Sequence, residues 1–85
     1  MIVHGQVQGV GYRWFAVHRA RQHGLAGWIR NRADGTVEAE AEGDRVALEV
    51  MLAELRGGPA HAVVHRVDVQ WSDDVRGHTG FVVRD

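Results

Sequence analysis

The sequence predicts an α+β fold, a ferredoxin-like two-layer α/β sandwich with a mainly antiparallel sheet and two helices on one face. Three observations predict it. Short segments alternate apolar and polar residues with period two, and two longer segments carry apolar residues at i, i+3 and i+4. The two kinds follow one another as β-α-β-β-α-β, with a small extra strand at the end. At 85 residues the chain can bury one core but not two, so residues 1–85 read as a single domain.

The first strand covers about Ile2–Gly5. A helix from about Tyr12 to His23 sets Tyr12, Phe15, Ala16 and Ala20 on one face, and Gly24 stops it. Leu25–Asn31 reads as a strand, Arg32-Ala33-Asp34-Gly35 as a turn, and Thr36–Glu42 as the hairpin partner. There Val37, Ala39 and Ala41 alternate with Glu38, Glu40 and Glu42, so one face is buried and the other is a solvated carboxylate row. Asp44 suits the N-cap of a second helix running to about Arg56, whose Leu48, Met51, Leu52 and Leu55 form the buried stripe. Gly57-Gly58-Pro59 ends it. Val63, Val67, Val69 and Trp71 occupy alternate positions of a longer strand interrupted by His65, and Phe81–Arg84 makes a short last strand.

Composition narrows the chemistry. Without cysteine there is no disulfide, thiolate metal site or cysteine nucleophile, and without lysine no Walker-type cradle or Schiff base. No apolar run has the length of a membrane span, and Met1 leads directly into a strand, so a cytoplasmic protein is expected. Residues 1–33 hold Arg13, Arg19, Arg21, Arg30 and Arg32 and no acid, whereas all eleven acids lie in residues 34–85. An anion is welcome in the first part, and a divalent cation finds no local ligands there. The histidine pairs His61/His65 and His18/His23 lack further ligands, so the histidines read as surface residues, with no metal and no cofactor expected.

The most telling stretch is Gly5-Gln6-Val7-Gln8-Gly9-Val10-Gly11-Tyr12-Arg13. Glycines let consecutive N–H groups turn inward, the following helix adds its positive end, and a guanidinium supplies a forked charge. Gln8, Gly9, Val10, Gly11, Tyr12 and Arg13 are therefore the candidate phosphate-binding residues. A Rossmann loop would need a glycine where Trp14 stands, a Walker loop would need Lys-Ser/Thr at Tyr12-Arg13, and a cysteine phosphatase would need its nucleophile at Val7. Any hydrolysis here uses water directly.

Gly5-x-Val7-Gln8-Gly9-Val10-x-Tyr12-Arg13, Gly27-Trp28-Ile29-Arg30-Asn31, Asp34-Gly35-Thr36-Val37-Glu38 and Gly58-Pro59, in this order, resemble the acylphosphatase family over nearly the whole chain. The resemblance implies the same ferredoxin-like fold and metal-independent hydrolysis of a carboxyl–phosphoryl anhydride. It places the catalytic arginine on Arg13 and the catalytic asparagine on Asn31. The implied partner is a small acyl phosphate, with inorganic phosphate or sulfate as a site ligand, and a monomer is expected. By residue type alone Asn31 reads as an ordinary turn residue before Asp34-Gly35, and only the resemblance gives it a role.

Other readings stay in view. A noncatalytic phosphate-binding or regulatory module on the same fold would keep the loop and dispense with Asn31. Nucleic-acid binding needs stacking aromatics on the open sheet face, where this chain has glutamates. Trp14 and Trp28 read as packing residues. The acidic Asp85 would weaken an anion site if it lay close to one.

Overall fold

A computed structural model describes residues 1–84. The elements are β1 (Ile2–Gln6), α1 (Tyr12–Gln22), β2 (Ala26–Asn31), β3 (Val37–Glu42), α2 (Arg45–Gly57), β4 (Val63–Asp68) and β5 (Phe81–Val83). The five strands form one sheet in the spatial order β4-β1-β3-β2-β5, in which only the β2–β5 pair is parallel. The expected ferredoxin-like fold is present.

The β2–β3 hairpin forms because its alternation matches across the ladder. Ile29 faces Ala39 and Gly27 faces Ala41 on the core side, while Trp28 faces Glu40 and Arg30 faces Glu38 on the other. Arg30 and Glu38 close a 2.6 Å ion pair there. Gly27 is required by close approach, because a Cβ at its φ of +147° would overlap the Glu40 carbonyl oxygen.

The helices cover the opposite face. Tyr12, Ala16, Val17 and Ala20 of α1 are buried, with Phe15 only partly so; Val17 joins the stripe that the sequence predicts. Small alanines let α1 approach the sheet closely. In α2 Met51, Leu52 and Leu55 are buried, and Asp44 caps the start by accepting from the Ala47 N–H at 3.3 Å. Polar contacts pin the helices together. The Tyr12 hydroxyl donates to the Leu55 carbonyl at 2.9 Å, and Glu54 receives Arg19 at 3.0 Å and His23 at 2.7 Å.

Three parts differ from the sequence expectation. β1 runs on to Gln6, and Gly5, one of the opening glycines, sits inside it at a bulge rather than in the loop. The register jumps there from His4↔Arg66 to Gly5↔Val64, leaving His65 as the extra residue. The jump switches the inward face, so Val64 and Val67 pack on the core while Val63 is 46 % exposed. β4 also stops at Asp68. Val69 and Trp71 lie beyond it, and Trp71 lies under the Arg45 guanidinium at 3.8 Å from the ring centre. The carboxylate row is less solvated than expected, because the Arg76 and His78 backbone N–H groups donate to Glu42 and the two side chains reach Glu40.

Candidate active site

The loop between β1 and α1 is anchored at one end by Val7, which is buried, and in its middle by Val10, which packs partly against the core. On either side of Val10 the backbone turns left-handed. Gly9 and Gly11 have φ of +73° and +80°, whereas among the described residues none other than glycine has a positive φ. Left-handed glycines of this kind set successive N–H groups to one side and make an anion-binding concavity. A Cβ at Gly9 or Gly11 would meet nothing within 4 Å, so these glycines are needed for backbone conformation and not for space.

Gly11 is also the N-cap of α1, and no side chain caps it. The first turn holds no acid. The first helical bond at this end runs from the Phe15 N–H to the Gly11 carbonyl at 3.0 Å, so the N–H groups of Tyr12, Arg13 and Trp14 precede any intrahelical acceptor. The positive end of the helix therefore faces the glycine loop with its donors free.

Arg13 is partly buried at this helix start. The other four arginines of the acid-free third are engaged: Arg19 with Glu54, Arg21 with the Phe81 carbonyl, Arg30 with Glu38 and Arg32 with Asp34. Among the described residues Arg13 is the one of the five without such a partner.

Asn31 ends β2 opposite Val37 and leads into a tight turn in which the Gly35 N–H donates to the Arg32 carbonyl at 3.2 Å. Asp34 braces the turn by accepting from the Thr36 N–H at 3.0 Å and from its hydroxyl, which holds the Asp34 carboxyl below its usual 3.8. The Asn31 Oδ1 is buried and accepts no hydrogen bond among the described residues. A buried carbonyl without a donor is uncommon in a folded chain and calls for a reason.

The loop and the turn are joined by Gln8. Its Nε2 donates to the Arg32 carbonyl at 2.8 Å and to the Thr36 carbonyl at 2.9 Å, spanning both strands of the hairpin one residue past Asn31. The structure thus brings Gln8, Gly9, Val10, Gly11, Tyr12 and Arg13 into one loop and helix start, tied to the hairpin end that bears Asn31. Gln8 does more than offer a backbone N–H, a role that sequence reasoning missed; its one signal was a long amide in a loop otherwise built of glycine and valine. Tyr12 does less than its place in the motif suggests, since its ring is buried and its hydroxyl is spent on Leu55. Burial pushes that phenol well above its usual range. Asp85 lies outside the described residues.

A broad concavity of about 760 Å³ lies elsewhere. It is bounded by β3, α2 and the segment around Trp71 to His78, and contains none of Gln8–Arg13. A backbone nest for one small anion is shallow, so the broad cleft and the donor-rich loop are different features. Among the described residues no three His, Asp or Glu side chains gather as a metal site. His4, His23 and His78 each pair with a carboxylate, and His18, His61 and His65 are exposed. Among the described residues no helix is long and apolar enough to cross a membrane.

The acylphosphatase family model matches residues 1–83. The chain belongs to the acylphosphatase family. Members of this family are hydrolases, and the resemblance expected from the motifs holds along the chain. The acylphosphatase of Salinibacter ruber is 49 % identical over 80 residues, covering 94 % of this chain and 84 % of that protein. The crystal structure of the acylphosphatase from Bacillus subtilis superposes with a TM-score of 0.97 at 39 % identity, covering 99 % of this chain and 93 % of that one. The Coxiella burnetii acylphosphatase structure gives 0.85 at 34 % identity, covering 98 % and 86 %.

Proposed function

We propose that this chain, acting as a single domain, hydrolyses the carboxyl–phosphoryl anhydride of small acyl phosphates to carboxylate and orthophosphate without a metal. The observation that carries the reading is the pair of groups unengaged among the described residues, the Arg13 guanidinium and the Asn31 Oδ1, on two segments that Gln8 fastens together.

The N–H groups of Gln8–Tyr12 take phosphoryl oxygens, and Arg13 holds two of them in bidentate fashion. With a carboxylate as leaving group the transition state is loose, so fixing the equatorial oxygens and placing water in line supplies most of the catalysis. Asn31 orients that water, its Oδ1 accepting one water proton. It is too weak a base to remove the proton fully. The water oxygen bonds to phosphorus as the bond to the acyl oxygen breaks, the electron pair leaves with the carboxylate, and a phosphate oxygen takes the proton. No carboxylate lies in residues 1–33, and Asp34 in the adjoining turn is held by Thr36, so a metal finds no ligand set beside the loop.

The test is turnover of acetyl and benzoyl phosphate by chelator-treated protein, with Arg13→Ala and Asn31→Ala alongside. The wild type turns over both substrates. Arg13→Ala loses on the order of 10³-fold in rate, as other phosphoryl-transfer arginines do. Asn31→Ala lowers kcat more than it weakens inorganic phosphate binding. Phosphate binding without turnover in the wild type would identify a noncatalytic module instead, and full turnover by Asn31→Ala would overturn the role of that residue.

A further inference from the structure

The three tryptophans are treated differently by the fold. Trp28 has the Arg84 and Arg30 guanidinium groups 4.4 and 5.8 Å from its ring centre, and Trp71 has Arg45 at 3.8 Å. Trp14 has no guanidinium and no aromatic partner among the described residues, and it is 62 % exposed. The packing role expected from the sequence does not hold for it. An indole is the largest apolar side chain a protein can leave in water, and the other large apolar residues exposed to that degree are the much smaller Val46 and Val75.

Its position is as informative as its exposure. Trp14 follows Arg13 directly and is the third residue of α1. Its own N–H is one of the three that precede the first helical bond. In a helix the Cα–Cβ bonds tilt toward the N-terminus, so a long side chain covers the turn before its own Cα. For a third residue that turn is the Gly9–Gly11 loop. The two loop glycines are uncrowded, since a Cβ at either meets nothing within 4 Å. The groups that would hold a phosphoryl unit there are backbone N–H groups and a guanidinium, none of which attracts the rest of an acyl phosphate.

We propose that Trp14 is the contact for the acyl group, an apolar platform that makes the chain favour acyl phosphates with flat or branched apolar acyl groups over acetyl phosphate. The inference rests on the loop being the phosphoryl site. An aromatic acyl group lying on the indole removes apolar area from water and adds a ring contact, whereas an acetyl methyl covers little of it.

The experiment compares kcat/KM for benzoyl and acetyl phosphate in the wild type, Trp14→Ala and Trp14→Phe. Comparing each variant with the wild type cancels the difference in leaving group. In Trp14→Ala the benzoyl-to-acetyl ratio falls about three- to tenfold, mainly through KM, and Trp14→Phe restores most of it. Calorimetric titration with phenylphosphonate and methylphosphonate reads the same preference without turnover, and the ratio of their affinities falls by a similar factor in Trp14→Ala. An unchanged ratio in Trp14→Ala overturns the proposal, as does Trp14→Phe behaving like Trp14→Ala. Failure of the hydrolase reading is separate: the wild type would then turn over neither substrate, and equal wild-type affinity for the two phosphonates would independently remove Trp14 from the site.

Discussion

Replacing Gln8 by glutamate changes one donor into an acceptor at nearly constant shape. In the native fold the Nε2 of Gln8 reaches the Arg32 carbonyl at 2.8 Å and the Thr36 carbonyl at 2.9 Å. Both carbonyls keep a second partner, since Arg32 also accepts from Gly35 and Thr36 also accepts from Arg32. Gln8→Ala therefore loses two neutral bonds without stranding either acceptor, a cost of about 1–2 kcal/mol. For a chain of this size that corresponds to roughly 5–15 °C in melting temperature. Gln8→Glu costs more at pH 7, because it loses the same bonds and sets a carboxylate against two carbonyl oxygens. Urea or thermal unfolding of the three proteins gives the order wild type, Gln8→Ala, Gln8→Glu. Both variants also lose kcat, because the loop is no longer fastened to the hairpin end that bears Asn31. A Gln8→Glu protein as stable as wild type at pH 7, or more stable than Gln8→Ala, would show that Gln8 is not the fastening and would sink the argument.

Tyr12→Phe removes the buried bond to Leu55 and lowers stability by about 1–2 kcal/mol, readable as a shift of the urea midpoint. Because burial raises the Tyr12 phenol above its usual 10.0, the stability linked to its neutral form is complete below pH 10 and drains away as pH rises further. The Phe variant lacks that alkaline loss. Gly27→Ala drives a Cβ into the Glu40 carbonyl and abolishes folding, whereas Gly9→Ala meets no atom and costs only about 1–2 kcal/mol of backbone strain, as circular dichroism melts will show. Glu40 and Glu42 are held below their usual 4.5, chiefly by hydrogen bonds from His78, so their stabilising contacts are complete above that pH and lost as it falls through the lowered values. Protection factors of the Arg76 and His78 amides against hydrogen exchange, taken relative to the intrinsic rate at each pH, fall over that acidic range while β2 stays protected.

What could be read from the sequence was local. The β2–β3 hairpin follows from alternation within residues 26–42, and α2 follows from Asp44, its apolar stripe and Gly58. The glycine loop was legible because φ above zero nearly demands glycine, and Gly9 and Gly11 both adopt it. What escaped depends on partners far along the chain. The inward face of β4 is set by the bulge opposite His4 and Gly5, which no pattern within residues 63–71 contains. The Gln8 amide finds its acceptors 24 and 28 residues away. Trp14 looked like a core residue by type, but only the placement of α1 on the sheet decides which of its sides meets water. Of the two groups proposed for catalysis, Arg13 stood out by its motif, while Asn31 resembled any turn residue by type and owed its role to the family resemblance alone, to which the structure adds an oxygen unpartnered among the described residues.

The strand order also governs when the fold can be completed. β1 precedes β3 and β4 along the chain, yet these are its neighbours, with Ile2 opposite Glu38 and Asp68. β2 likewise waits for Phe81–Val83 on its outer side. A strand flanked on both sides by later ones is fully paired only once β4 is available, so assembly of this sheet is dominated by contacts distant along the chain. The hairpin of β2 and β3 is the part able to form early, and it presents the Asn31 turn before β4 exists to pin β1, and with it the glycine loop, in place.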